Sequence, residues 1–203
     1  MFFSFDGIDG TGKSTQVALL VDWLRAQGKK VNLCRDPGST PLGEAVRDLL
    51  LQRDEIPLAR TTEMLLYMAA RAQLVDEVIC PALARGECVV SDRYLLANLA
   101  YQGYGGELGA EVVQKVGDVA TGGRLPDLTF LLDLPAAVAE SRRKRPPDRL
   151  EKRGTEWMER VRQGFLAEAQ RMGDRVVVID AARSIEVVAA AIQEAARARL
   201  DAP

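Results

Sequence analysis

Gly7-Ile8-Asp9-Gly10-Thr11-Gly12-Lys13-Ser14, followed by Thr15, has the spacing G-x-x-x-x-G-K-[ST]. Glycines so placed let the backbone turn tightly and aim its N–H groups at an anion, and a helix starting there adds its positive end. Lys13 can reach the β- and γ-phosphates of a nucleotide, and the Ser14 hydroxyl can ligate Mg²⁺. The bland alternative is a Gly-rich turn with a surface lysine. An apolar stretch before the segment and a helical pattern after it argue against that reading.

Five other groups could do chemistry. Ser91-Asp92-Arg93-Tyr94 follows an apolar run; Asp92 can hold Mg²⁺ through water and Arg93 can grip a phosphate with its planar fork. A structural Asp–Arg pair at a strand end accounts for these residues equally well. Arg35-Asp36-Pro37-Gly38 follows a second such run and offers another arginine. Tyr67 and Arg71 are four apart, so on a helix they share a face, as a base-stacking ring beside a forked donor or as an ordinary exposed pair. Asn98, Tyr101 and Gln102 are individually weak signals. Finally, residues 142–153 carry seven basic groups against two acidic ones, a segment of +5 within a chain of net charge −2.

The chain has no histidine. That removes Ser-His-Asp hydrolysis and most zinc sites. A P-loop alone does not choose between kinases, GTPases and mechanical ATPases; the lack of an N-K-x-D segment counts against a GTPase.

The elements that must position these residues follow from periodicity. Short β-branched or aromatic runs alternate with helical patterns, which predicts an α/β fold with a parallel sheet. Strands are predicted at 2–6, 31–34, 88–91, 128–133 and 175–179, and helices at 14–27, 41–51, 61–84, 108–120, 135–144, 155–172 and 184–200. In the third helix Leu65, Met68, Ala72, Val75, Ile79 and Leu83 read as one buried stripe, and Trp157, Val161 and Phe165 as another in the sixth. Gly103, Gly105 and Gly106 mark a loop, and Pro146-Pro147 breaks the basic segment. In an open α/β sheet ligands gather at the carboxyl ends of strands, which puts Arg35, Asp92 and Arg93 on the P-loop's edge.

The 203 residues fit a single domain, 1–203, and composition is that of a soluble globular protein. No apolar run reaches the roughly 18 residues of a membrane span, no basic leader opens the chain, and Cys34, Cys80 and Cys88 form no C-x-x-C pair. The expected setting is the cytoplasm, without a membrane or nucleic-acid partner.

Taken together these residues carry a family resemblance. Phe5 through Thr15, Arg35-Asp36-Pro37-Gly38, Tyr67 through Arg71, Asp92-Arg93-Tyr94, Ala100-Tyr101-Gln102-Gly103 and Asp148-Arg149-Leu150-Glu151 resemble the thymidylate kinases in order and spacing over essentially the whole chain. Ile179-Asp180-Ala181 is similar to that family's last strand and adenine-side loop. The resemblance implies a P-loop NTPase fold with five parallel strands in the order 2-3-1-4-5, a mobile lid near 142–154, a homodimer, and transfer of the γ-phosphate of ATP to dTMP on the way to dTTP, with Mg²⁺. It implies that Tyr67 stacks on thymine and Arg71 bonds its edge. Arg93 and Arg35 would hold the monophosphate, Asp9 would lie near sugar and metal, and Asn98, Tyr101 and Gln102 would complete the pocket. Asp6, Asp36, Ser39, Ala97 and Asn98 depart from the usual family pattern and bear on fine specificity.

Such chemistry runs without histidine. The second pKa of a phosphate monoester is about 6, so the attacking oxygen is already ionised near neutrality. Bringing two polyanions into line is the difficulty, and positive charge meets it. Lys13, Arg93 and the +5 segment supply that charge, with Arg145 and Arg149 favoured as catalytic arginines and Arg142 beside ATP. Two other readings stay open: a kinase for another (deoxy)nucleoside monophosphate, and a regulatory P-loop ATPase whose output is a conformational change.

Overall fold

The computed structural model describes residues 1–143 and 148–201. Five strands, β1 (Phe2–Asp6), β2 (Val31–Arg35), β3 (Cys88–Asp92), β4 (Leu128–Asp133) and β5 (Val176–Asp180), form one all-parallel sheet in the order β2-β3-β1-β4-β5. β1 is buried at every position because it lies mid-sheet with helices on both faces, which is why three of its five residues are phenylalanine. Phe3, Phe5 and Phe130 pack their rings together on one face of this centre.

Nine α-helices are described: α1 (Lys13–Ala26), α2 (Pro41–Leu51), α3 (Arg60–Leu74), α4 (Cys80–Ala84), α5 (Leu95–Asn98), α6 (Ala110–Thr121), α7 (Ala136–Arg142), α8 (Thr155–Met172) and α9 (Ile185–Leu200). Local chemistry sets several ends. The Thr40 hydroxyl accepts from the Gly43 N–H and Pro41 opens α2. Ser184 caps α9, and Gly122 in a left-handed conformation ends α6.

Three readings from sequence are corrected. The single helix expected over 61–84 is α3 and α4 joined by a π-helical turn, Val75–Ile79. Its buried face is Glu63, Met64, Tyr67, Met68, Ala70, Arg71, Leu74, Val75 and Ile79, whereas Leu65 is 49% exposed and Ala72 faces out. The buried stripe lies one step round the helix because three polar-bearing side chains, Glu63, Tyr67 and Arg71, belong to it. The loop expected at Gly103–Gly106 is largely a second π-helix, Leu99–Gly105. Its glycines permit close packing: a Cβ on Gly105 would lie 2.6 Å from Val161 Cγ2. π-Helical turns of this kind cluster at functional sites, and this one carries Tyr101 and Gln102. The stripe Trp157, Val161 and Phe165 is buried as expected.

Candidate active site

β1 runs straight into the phosphate loop. Gly7 and Gly10 have φ of 130° and 90°, and a Cβ on Gly10 would sit 2.2 Å from the Ala139 carbonyl oxygen, so only glycine fits this turn. Gly12, also with a left-handed φ, starts α1 without a side-chain cap. The first N–H groups of α1 are thereby left for an external anion, and Ser14 and Thr15 beside them are exposed. Lys13 is buried; its Nζ donates to the carbonyls of Gly7 (2.9 Å) and Ile8 (2.8 Å) and lies 3.6 Å from Asp9 Oδ1. Burial, with Arg93 adding to it, pushes the lysine pKa down. The Thr11 hydroxyl donates to the Ile8 carbonyl and ties the loop to itself.

Arg93, just past β3, has φ 71°, a strained conformation for a residue with a side chain. The fold holds it there by a fixed fork. Nη1 donates to the Gly7 carbonyl at 3.0 Å, and Nη2 donates to Asp9 Oδ1 at 3.0 Å and to the Tyr101 hydroxyl at 3.3 Å. The guanidinium also lies 5.1 Å from the Tyr101 ring centre. Burial opposes its charge, but Tyr101, Asp9, Asp6 and Asp92 outweigh burial and hold its pKa well above the usual value.

Two cavities meet at this arginine. One, a slot of about 550 Å³, is lined by residues that include Tyr67, Arg71, Ala97, Asn98, Tyr101 and Gln102. The other, about 790 Å³, is a basin over the P-loop that includes Gly10, Gly12, Lys13, Ser14, Thr15, Arg35 and Asp92. Asp9, Asp36, Arg47 and Arg93 line both and form the wall they share. The slot has the mixed polar and apolar lining of a small-ligand site.

Inside the slot, Tyr67 and Arg71 are both buried, not an exposed helix pair. Arg71 is fixed by Asp36, whose Oδ2 accepts from its Nε at 2.6 Å across the cis Asp36–Pro37 segment. Its guanidinium stacks 5.2 Å from the Tyr94 ring centre. Arg35 is half-exposed in the basin and donates twice to Glu44 (3.1 and 3.0 Å). Arg47 was given no role by sequence. The signal was available: it is a cation three or four residues from Gly43 and Leu50 on the buried stripe of α2. Burial, then Arg35, push its pKa down.

The basic segment divides. Arg142 donates to the Ala181 carbonyl (2.9 Å) in the loop after β5. Arg149 donates to the Ile56 carbonyl (2.7 Å), Lys152 pairs with Asp54, and Arg153 with Glu63. From Asp148 onward the segment is therefore tied to residues 54–63 beside the slot, and Arg149 does not line the P-loop basin. Arg145 and Pro146-Pro147 lie outside the described residues.

No cluster of three acidic or sulfur ligands exists among the described residues. The oxygens of Ser14, Asp9 and Asp92 line the one basin, a hard-donor set that fits Mg²⁺ shared with substrate phosphates.

A strand–P-loop–helix unit, a five-stranded parallel sheet of this order and a second basic slot across a shared wall define a P-loop nucleotide kinase. The thymidylate kinase family model matches residues 5–192. A thymidylate kinase of Rhodopirellula baltica is 47% identical over 189 residues, 93% of this chain and 77% of that one. One of Bifidobacterium longum is 46% identical over 196 residues, 95% of each. The crystal structure of thymidylate kinase from Ehrlichia chaffeensis superposes with a TM-score of 0.80 at 31% identity, covering 97% of this chain and 98% of that one. The chain belongs to the thymidylate kinase family.

Proposed function

We propose that this enzyme transfers the γ-phosphate of ATP to dTMP, giving dTDP and ADP on the way to dTTP. The observation that carries the reading is the shared wall. A nucleotide whose phosphates rest on the P-loop and a monophosphate whose base occupies the slot must bring their phosphates together at Arg93, Arg47 and Asp9.

ATP is held by Gly7, Ile8, Asp9, Gly10, Thr11, Gly12, Lys13, Ser14 and Thr15, with Arg142 toward the loop after β5. dTMP is held by Asp9, Arg35, Tyr67, Arg71, Arg93, Asn98, Tyr101 and Gln102. Tyr67 offers a ring to stack on, and Arg71, held by Asp36, offers its remaining donors to the base edge. The acceptor phosphate is already ionised, so no general base is needed. Arg93 braces the attacking oxygen against the P-loop, and Lys13 exchanges its Gly7 and Ile8 carbonyls for phosphate oxygens. Arg145 and Arg149 of the lid add positive charge. Ser14, with Asp9 and Asp92 through water, would hold Mg²⁺, which neutralises phosphate charge when bound. A homodimer is also proposed from the resemblance; Leu65 on α3 and Val112 and Val119 on the neighbouring α6 are exposed apolar side chains that fit it. The three cysteines, all free, suit a cytoplasmic setting.

A coupled assay of ATP with dTMP, dUMP, dCMP and dGMP tests the reading. The expected result is a strong preference for dTMP. ATP hydrolysis without any nucleoside diphosphate product would support a regulatory ATPase instead.

A further inference from the structure

The floor of the slot is a chain of hydrogen bonds whose direction is forced. Arg153, from the short 3₁₀ turn Glu151–Arg153, lies 4.9 Å from the Trp157 ring centre and donates to Glu63 Oε2 at 2.7 Å. Glu63, on α3, is 4% exposed. Its other oxygen, Oε1, accepts from Gln102 Nε2 at 2.9 Å. Gln102 Oε1 in turn accepts from Asn98 Nδ2 at 2.7 Å. Asn98 is 2% exposed, and its Oδ1 is buried without a hydrogen-bond partner. Both amides line the slot.

A carboxylate only accepts, while each amide has a donating and an accepting end. Glu63, paired with Arg153, can therefore meet Gln102 only through Nε2. That leaves Oε1 for Asn98, which must answer with Nδ2 and keep Oδ1 as the unpaired acceptor end of the chain. Neither amide can turn over without setting two acceptors against each other.

We infer that Glu63, anchored by Arg153, is a specificity-determining positioning residue: it sets the polarity of the Gln102–Asn98 chain so that the slot presents an acceptor and selects a base bearing a ring N–H. Thymine and uracil carry that donor at N3. Cytosine presents a lone pair at the same place, so Asn98 Oδ1 and the base would repel, and a buried acceptor would stay unpaired. Arg153 belongs to the segment that docks beside the slot, so base reading is built partly from outside the slot. This inference rests on the proposed dTMP-kinase reading and says what enforces the base choice.

The test compares kcat/KM for dTMP and dCMP in wild type and in Glu63→Gln, with Tm recorded for both. A glutamine at 63 can offer either amide atom, so the chain is free to reverse. The dTMP-to-dCMP ratio is expected to fall about tenfold, mainly through a higher KM for dTMP with kcat little changed. A ratio kept within about threefold of wild type in a folded variant overturns the inference, even if both rates fall together. Should Glu63→Gln fail to fold, Glu63→Met frees Gln102 to turn over while Arg153, 31% exposed, keeps its water, and the same threshold decides. The wild-type measurements alone read the parent proposal, since a wild type that prefers another monophosphate overturns that reading. The change from wild type to variant alone reads the relay.

Discussion

Arg71 Nε and Asp36 Oδ2 stand 2.6 Å apart, with side-chain exposures of 1% and 0%, although 35 residues separate them in sequence. Removing one member of such a pair strands the other charge, which typically costs about 3–5 kcal/mol. Asp36→Ala should destabilise the fold by that order in urea unfolding. A loss below about 1 kcal/mol would mean that Arg71 finds water or another partner.

Lys13 Nζ donates to the Gly7 and Ile8 carbonyls of the P-loop and lies beside Asp9. Lys13→Ala should leave the far-ultraviolet dichroism unchanged and lower phosphoryl transfer by about 10³ or more. Turnover near wild type would remove the P-loop from the chemistry.

Tyr67→Ala should weaken dTMP binding about tenfold or more, because base–aromatic stacking contributes roughly 1–3 kcal/mol. ATP affinity should barely move, and Tyr67→Phe should be mild. Calorimetric titration of both nucleotides checks this; equal losses would make Tyr67 a packing residue only.

The architecture was legible because it rests on local signals. Short β-branched or aromatic runs marked all five strands, and the Gly7–Ser14 spacing marked the cradle. What was hidden depends on contacts made across the sheet. From their spacing alone Tyr67 and Arg71 could be a base slot or an exposed pair, because nothing nearby in sequence reveals that Asp36 pairs with the arginine and lets it be buried. Gln102 looked weak alone, since its meaning comes from Glu63, 39 residues earlier. The glycines at 103–106 suggested a loop because helix-packing contacts with α8 leave no local mark.

Asp6 ends β1 fully buried, and neither carboxyl oxygen has a hydrogen-bond partner. Burial pushes its pKa up to about 8, against the pull of Arg93, Lys13 and Arg71 and with Asp92 adding to the rise. A raised acid binds more protons folded than unfolded, so its contribution is complete below the unfolded pKa of about 4 and is lost as pH climbs through the folded value. In metal-free buffer without nucleotide, the Tm of Asp6→Asn relative to wild type should rise steadily from about pH 5 to about pH 8. Parallel Tm curves would contradict the assignment.

The arginines of the proposed lid are tested together, since neighbours can substitute for one another. Replacing Arg142, Arg143, Arg145 and Arg149 with Ala should lower kcat for dTMP well beyond tenfold. A folded variant within about tenfold of wild type, a barrier change under roughly 1.4 kcal/mol, would leave the catalytic charge to Lys13, Arg93 and the metal.

The 2.2 Å between the Ala139 carbonyl and the place a Gly10 Cβ would occupy makes the P-loop and α7 two sides of one close-packed seam. Anyone engineering this enzyme inherits that constraint. Even one added methyl group at Gly10 would have to lever α7 outward, and α7 ends at Arg142, whose bond to the Ala181 carbonyl spans to the loop after β5. Damage done in the phosphate loop would thus be registered in the loop after β5. Nucleotide-binding loops transplanted from other kinases should be moved together with their matching helix, not alone.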